Sequence, residues 1–146
     1  MKVKLILASI AMIATAHSAA VDMHKLIDSL VRVESNGKAT AVGDNGKAYG
    51  ILQIHSVTVQ EANRLAQTRY THKDMFSPTA SRDVAQIVLG HYAKHIQKTT
   101  GRPATAKELA FIWNGGGSAW KRATKPVNDS KQRNLNNYWN KVSRVL

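Results

Sequence analysis

Apolar residues recur three and four positions apart through most of this chain, the spacing that places side chains on one face of an α-helix. Glycine, proline and polar segments interrupt the pattern, so it predicts several separate helices. The predicted helices run from about 22 to 35, 56 to 67, 77 to 100, 105 to 114 and 130 to 146. Between the first two, turn-forming glycines and one short apolar run leave room for at most a small β-hairpin. The sequence therefore predicts a single, mostly α domain.

The N-terminal segment 1–20 has the layout of a secretory signal peptide. Lys2 and Lys4 give a positive start, 5–16 is uncharged and mostly apolar, and small residues precede a cleavage site expected between Ala20 and Val21. The alternative is that this segment forms a buried N-terminal helix. We therefore expect 1–20 to be a signal peptide and 21–146 to be the folded domain, exported to the periplasm or secreted.

The chain is strongly basic, with a formal net charge of +12, of which +10 remains once Lys2 and Lys4 are removed. Such a surface favours polyanions, namely nucleic acid, anionic lipid or an anionic cell wall. Export argues against nucleic acid, so we expect an anionic cell-envelope surface as the natural partner, and a monomeric protein. The chain has no cysteine, which excludes disulfides and thiolate metal sites.

Glu34 lies at the end of the first predicted helix and shares its apolar face, three residues after Val31. A carboxyl in that position is partly desolvated, and desolvation raises its pKa. The alternative is a solvated glutamate in the last helical turn, where the helix dipole is mildly unfavourable for an acid. The apolar face itself consists of Met23, Leu26, Ile27, Leu30 and Val31.

Three other polar features are candidates for function. Gln53 lies inside an apolar run, so it is either a structural brace or an amide that faces a ligand. The glycines 115–117 after Asn114 end a helix and also let the backbone approach a ligand closely. His91 and His95 are four residues apart, a spacing that suits a metal, but no third ligand is evident. We favour surface histidines there and expect neither a metal nor a cofactor.

Three motifs occur in the order Glu34-Ser35-Asn36, Tyr49-Gly50-Ile51-Leu52-Gln53-Ile54 and Trp113-Asn114-Gly115-Gly116-Gly117. Together they resemble the lysozyme-like superfamily, with the soluble lytic transglycosylase domain and goose-type lysozyme as the nearest patterns. The resemblance implies a lysozyme-like fold in which Glu34 is the general acid. It also implies that Tyr138 reaches toward this glutamate. The substrate-binding residues that it implies are Ser35, Tyr49, Gln53, Asn114 and Tyr138.

The second carboxylate is where the related families differ. Chicken-type lysozyme carries one just before the tyrosine, where this chain has Ala48, and its disulfides are missing here too. Goose-type lysozyme carries an aspartate in a glycine-rich turn, which Asp44 matches, and a further aspartate where this chain has His55. Asp44 is therefore a possible second carboxylate, or else a turn residue that bonds its own backbone.

The resemblance implies an enzyme that cleaves the β-1,4 bond between N-acetylmuramic acid and N-acetylglucosamine in peptidoglycan glycan strands. A lytic transglycosylase needs one catalytic glutamate, because the muramoyl sugar's own hydroxyl attacks. An inverting hydrolase needs a base as well, and Asp44 is the candidate. We favour the transglycosylase.

Two non-enzymatic alternatives stay open at this point. One is a cell-wall or polyanion binder that uses the basic surface with Trp113, Trp120 and Trp139, although tryptophans at helical spacing more often lie in the core. The other is an exported nucleic-acid binder, which predicts steep salt dependence on DNA and no wall lysis.

Overall fold

A computed structural model describes residues 20–146, so the predicted signal peptide lies outside the described residues apart from Ala20. Within 20–146 the helices are α1 Met23–Ser35, α2 Ser56–Ala66, α3 Pro78–Thr100, α4 Ala106–Gly115 and α5 Ser130–Ser143. The strands are β1 Val42–Gly43, β2 Ala48–Tyr49 and β3 Ile54–His55. Short 3₁₀ segments lie at Asp44–Gly46, His72–Phe76 and Ala119–Arg122. The predicted mostly α architecture is confirmed.

Side-chain caps fix where four of the five α-helices begin, and the cap of α5 is Asp129, which accepts the Gln132 N–H at 2.6 Å. The Asp22 carboxylate accepts a backbone N–H from the first turn of α1 at 3.1 Å. Ser77 caps α3 directly before Pro78, whose missing N–H costs nothing in a first turn. Thr105 and Glu108 form a reciprocal capping box at the start of α4. These starts agree with the predicted helix boundaries to within one or two residues.

The small sheet is antiparallel in the order β1-β2-β3. Asp44, Asn45 and Gly46 connect β1 to β2 with φ angles of 48°, 52° and 84°, a left-handed backbone that these residue types tolerate best. β3 then pairs with β2 and places His55 opposite Ala48. The sheet has one strand more than the predicted hairpin, because two-residue strands are too short to show an alternating pattern.

The main hydrophobic core is built around α3 by buried residues of α1, α2, α4 and the β2–β3 region, and α5 covers it through Tyr138 and Val142. Met75 is also fully buried there, although the sequence predicted only a connection at that position. Val57, an apolar residue in the first turn of α2, is 66% exposed, whereas Val59 is buried. Within 20–146 no helix is both long and apolar enough to cross a membrane. Core side chains with no exposed area include Leu26, Leu30, Val84, Leu89 and Leu109.

Gly50 allows the sheet to approach the 3₁₀ segment that carries Met75. Its φ is +74°, and a Cβ built on it would meet the Met75 carbonyl oxygen at 1.8 Å. We expect Gly50→Ala to lower the free energy of unfolding by about 2–5 kcal/mol, from backbone strain plus overpacking. Gly46→Ala is the matched control, since φ is +84° there but no atom lies within 4 Å. Its cost should be only about 1–2 kcal/mol in the same urea titration, and equal losses would rule out the clash.

Candidate active site

A cleft of about 830 Å³ opens on one side of the domain. Glu34, at the end of α1, contributes to its wall together with the sheet, α2, α3 and the end of α4. The lining residues are Glu34, Asp44, Ala48, Gln53, Ile54, His55, Val57, Thr58, Gln60, Glu61, Arg64, Val88, Tyr92, Ile112, Trp113, Asn114, Gly116 and Gly117. A concave site of this size with a few polar groups is typical of ligand-binding clefts.

Glu34 is partly buried at the point where α1 ends, one turn after the buried Val31. Burial raises the pKa of its carboxyl, because desolvation disfavours the charged form. A hydrogen bond from Tyr138 and the charge of Lys141 act in the opposite direction without cancelling that rise. The result is a carboxyl that faces a cleft and holds its proton to higher pH than an ordinary glutamate.

Tyr138 lies on α5, 104 positions along the chain, and its hydroxyl donates a hydrogen bond to Glu34 Oε1 at 2.5 Å. The contact that the resemblance implied is therefore present. Burial raises the pKa of the Tyr138 hydroxyl, and the neighbouring Glu34 raises it further. The phenol therefore stays protonated and acts only as a donor to the carboxyl.

Ser35 fixes the end of α1 to the sheet side of the cleft. Its hydroxyl donates to the backbone carbonyl of Ile51 at 2.9 Å, and Asn36 ends the helix in the left-handed region with φ 53°. This bond orients the last turn of α1, which carries Glu34. Ser35 does not line the cleft, so its predicted contact with substrate remains a prediction.

Gln53 and Asn114 both line the cleft, as the sequence suggested. The Gln53 backbone is left-handed, with φ 49°, and its amide nitrogen donates to the Gly50 carbonyl at 3.0 Å. Its amide oxygen lies against Gly43, where any Cβ would be only 2.2 Å away. Gln53 is thus both braced and exposed to the cleft, so the two readings of this residue are compatible.

Asp44 and His55 lie together at the sheet edge of the cleft, with His55 Nε2 3.2 Å from Asp44 Oδ2. Both side chains are well exposed, at 57% and 42%. His55 pairs in register with Ala48, the position where chicken-type lysozyme has its second carboxylate. The polar groups beside that position are therefore an aspartate–histidine pair, which the sequence alone did not reveal.

Tyr49 does not line the cleft. Its ring stacks on His72 at a centroid distance of 3.9 Å and on Phe76 at 4.6 Å. His72 Nε2 in turn lies 2.7 Å from the Ile54 carbonyl oxygen. The stack joins the sheet to the 3₁₀ segment, and the predicted role of Tyr49 in substrate binding stays a prediction.

The α2 wall of the cleft was not predicted from the sequence. It carries Glu61 and Arg64, which are joined by two hydrogen bonds of 3.0 and 2.8 Å, and the exposed Val57 lies on the same wall. The sequence does show a polar face on that helix, but many surface helices have one, so the pattern alone does not indicate a cleft wall. Within 20–146 no group of three histidine, aspartate or glutamate side chains could hold a metal ion.

Comparison with known proteins identifies the family. The model of the transglycosylase SLT domain matches residues 11–136, which is most of the chain. No curated protein and no solved structure matches the chain. Since the matched region carries the cleft, Glu34 and all three motifs, the chain belongs to the transglycosylase SLT domain family of the lysozyme-like superfamily, a family of enzymes that act on peptidoglycan.

Proposed function

We propose that the protein is a lytic transglycosylase that cleaves the β-1,4 bond between N-acetylmuramic acid and N-acetylglucosamine, with Glu34 as its catalytic residue. The observation that carries this proposal is a carboxyl with raised pKa in the cleft of an SLT domain. We also propose that 1–20 is a signal peptide and that the domain acts in the periplasm or outside the cell.

Glu34 acts first as a general acid. It gives its proton to the glycosidic oxygen, the bond from that oxygen to the muramoyl C1 breaks, and positive charge develops on the sugar. Burial favours the protonated carboxyl needed for this step. The Tyr138 hydroxyl then donates to the carboxylate that remains and lowers the free energy of the charged form.

Glu34 acts next as a general base. Its carboxylate accepts the proton of the muramoyl sugar's own hydroxyl while that oxygen forms a new bond to C1, so the carboxyl is protonated again and no water is consumed. Gln53 and Asn114 line the same cleft, and we assign them the role of holding the glycan. Within this scheme no second carboxylate is required, which suits Ala48 at the position discussed above.

An inverting hydrolase is the second candidate, because Asp44 lines the same cleft as Glu34. Such an enzyme uses a second carboxylate to activate water. In this chain the Asp44 carboxylate is already paired with His55. The Asp44 backbone is also left-handed, a conformation that aspartate tolerates better than most residues, so the turn alone is a sufficient reason for an aspartate at this position. We therefore rank hydrolysis below transglycosylation.

A non-catalytic wall binder has weaker support. Trp113 lines the cleft, but all three tryptophans, Trp113, Trp120 and Trp139, are packed against the core. A binder also has no need of a shielded carboxyl. Turbidity of purified cell walls separates the two, since a binder leaves the turbidity unchanged.

Asp44→Asn distinguishes the two enzymatic routes. We expect this variant to retain wall cleavage within about threefold, because the transglycosylase route does not use the Asp44 carboxylate; a hydrolase that lost its base should fall by about a hundredfold or more. Asp83→Asn, an exposed aspartate outside the cleft, is the control for general effects of the change. A selective collapse of activity in Asp44→Asn would establish hydrolysis instead.

A further inference from the structure

Positive charge is distributed very unevenly along the folded chain. Residues 20–77 contain seven lysines and arginines and six acidic residues, whereas 78–146 contain twelve basic and three acidic residues. Almost the whole net charge of the domain therefore belongs to α3, α4, α5 and the segments that join them. Because α4 packs against both α3 and α5, these elements form one packed unit.

Few of these charges are neutralised within the described part of the chain. Arg82, Arg102 and Arg122 each pair with a carboxylate, at 2.7, 2.6 and 2.8 Å. The other nine basic residues have no carboxylate within 4 Å among residues 20–146. We call them the basic surface: Lys94, Lys98, Lys107, Lys121, Lys125, Lys131, Arg133, Lys141 and Arg144. All but Lys107 are exposed.

The basic surface is separate from the cleft. None of its nine residues lines the cleft, whose charged side chains are three carboxylates, one arginine and His55. Lys141 is nevertheless close enough for its charge to act on Glu34, so the other eight residues are the ones set apart from a glycan strand in the cleft. The spacing of Arg133 and Lys141 on α5 and of Arg144 directly after it places them along one exposed stripe, and α5 has no acidic residue. Such a concentration of charge favours an anionic partner other than the cleaved bond.

Exposed apolar side chains accompany the basic surface. Val127, Val145 and Leu146 are three of the five large apolar residues that are exposed in 20–146. Trp120 is partly buried against the core, and the Lys121 ammonium is 5.9 Å from its ring centroid. Lysines mixed with exposed apolar side chains are typical of proteins that rest on a bilayer, where the lysine stems and the apolar side chains enter the headgroup layer.

We propose that the basic surface docks the protein on an anionic lipid bilayer. Lysine supplies seven of its nine charges. Lysine acts as a mobile point charge that suits the dispersed phosphates of headgroups, whereas nucleic-acid sites rely more on the fixed fork of arginine. The docked protein presents a cleft that is left free for a glycan strand near the membrane. This inference does not depend on the role of Glu34.

Vesicle binding by the full chain tests the proposal. We expect tight binding to vesicles that contain phosphatidylglycerol, weak binding to pure phosphatidylcholine vesicles, and a steep loss of binding with added salt. Each lysine or arginine near an anionic bilayer strengthens binding roughly fivefold, so loss of four should weaken it by about a hundredfold or more. The test variant is K98Q/K125Q/R133Q/R144Q. It spares Lys141, whose charge acts on Glu34.

The matched control removes four exposed cations from the other part of the domain: K38Q/K47Q/R69Q/K73Q. This control has the same net charge and the same N-terminal apolar segment as the test variant. We expect it to bind anionic vesicles within about fivefold of the parent. Equal losses in both variants would mean that total charge alone matters and would overturn the proposal. The charge-conserving variant K98R/K125R/R133K/R144K should bind as the parent does.

Two further measurements identify the partner. Tighter binding to duplex DNA than to anionic vesicles at the same salt would overturn the bilayer assignment in favour of nucleic acid. Binding of soluble polyphosphate as strong as that of vesicles would show that the surface recognises phosphate charge alone, and it would also overturn the bilayer assignment. Glu34→Gln should bind vesicles like the parent, so failure of the catalytic proposal and failure of this one are distinguishable.

Discussion

Glu34→Gln should lose at least about a thousandfold of the parent's rate of cell-wall cleavage, because glutamine cannot donate or accept the proton that bond breaking needs. The change is nearly isosteric, so the cleft keeps its shape, and the glutamine oxygen still accepts the bond from Tyr138. The measurement is loss of turbidity of purified cell walls. Retention of full activity would end the assignment of Glu34.

Glu61→Gln is the matched control, since Glu61 also lines the cleft but is paired with Arg64. It should keep most of the activity. A comparable loss in both variants would point to the charge of the cleft as a whole rather than to one proton donor.

The stability of Glu34→Gln gives an independent check with a defined sign. Burial raises the pKa of Glu34 in the folded state. The parent protein therefore has its full stability below the pKa that Glu34 has in the unfolded chain, and it loses stability as the pH rises through the pKa of Glu34 in the folded state. Glutamine has no such loss. We therefore expect the variant to have a higher melting temperature than the parent above the folded pKa, and the same melting temperature in acid.

Tyr138→Phe should lower kcat by roughly 10- to 100-fold, because the carboxylate that forms when Glu34 gives up its proton loses a hydrogen-bond donor. The pH dependence of kcat gives a more specific test. Since the Tyr138 bond lowers the pKa of Glu34, its removal raises that pKa further. The protonated form then persists to higher pH, and the alkaline limb of the profile should move up.

Tyr92→Phe is the control for this change, because Tyr92 is a second tyrosine in the cleft. It should leave the alkaline limb where it is in the parent. If the limb of Tyr138→Phe moved down or stayed in place, Tyr138 would be a packing residue rather than a group that positions Glu34.

The helices and the placement of Glu34 were predictable because both depend on local pattern. The apolar spacing from Met23 to Val31 defines one face of α1, and Glu34 continues that face. Caps such as Asp22 and Thr105 are equally local signals. The contact with Tyr138 came only from resemblance, since no periodicity relates two residues 104 positions apart.

Other parts of the site depend on tertiary contacts that sequence patterns do not carry. His55 meets Asp44 only because a third strand forms, and that strand has two residues. Tyr49 belongs to a motif of the family, yet its ring is taken up by His72 and Phe76. Val57 is apolar like a core residue but lies exposed on the cleft wall, and apolar character alone does not tell a core side chain from one that lines a cleft.

Mass analysis of the muropeptides released from purified cell walls tests the proposed chemistry most directly. We predict that the parent releases muropeptides with anhydro-muramoyl ends, one water lighter than hydrolysis products, and that Glu34→Gln releases none. Products with only reducing ends, or anhydro products that persist in Glu34→Gln, would contradict a transglycosylase that works through this single carboxyl.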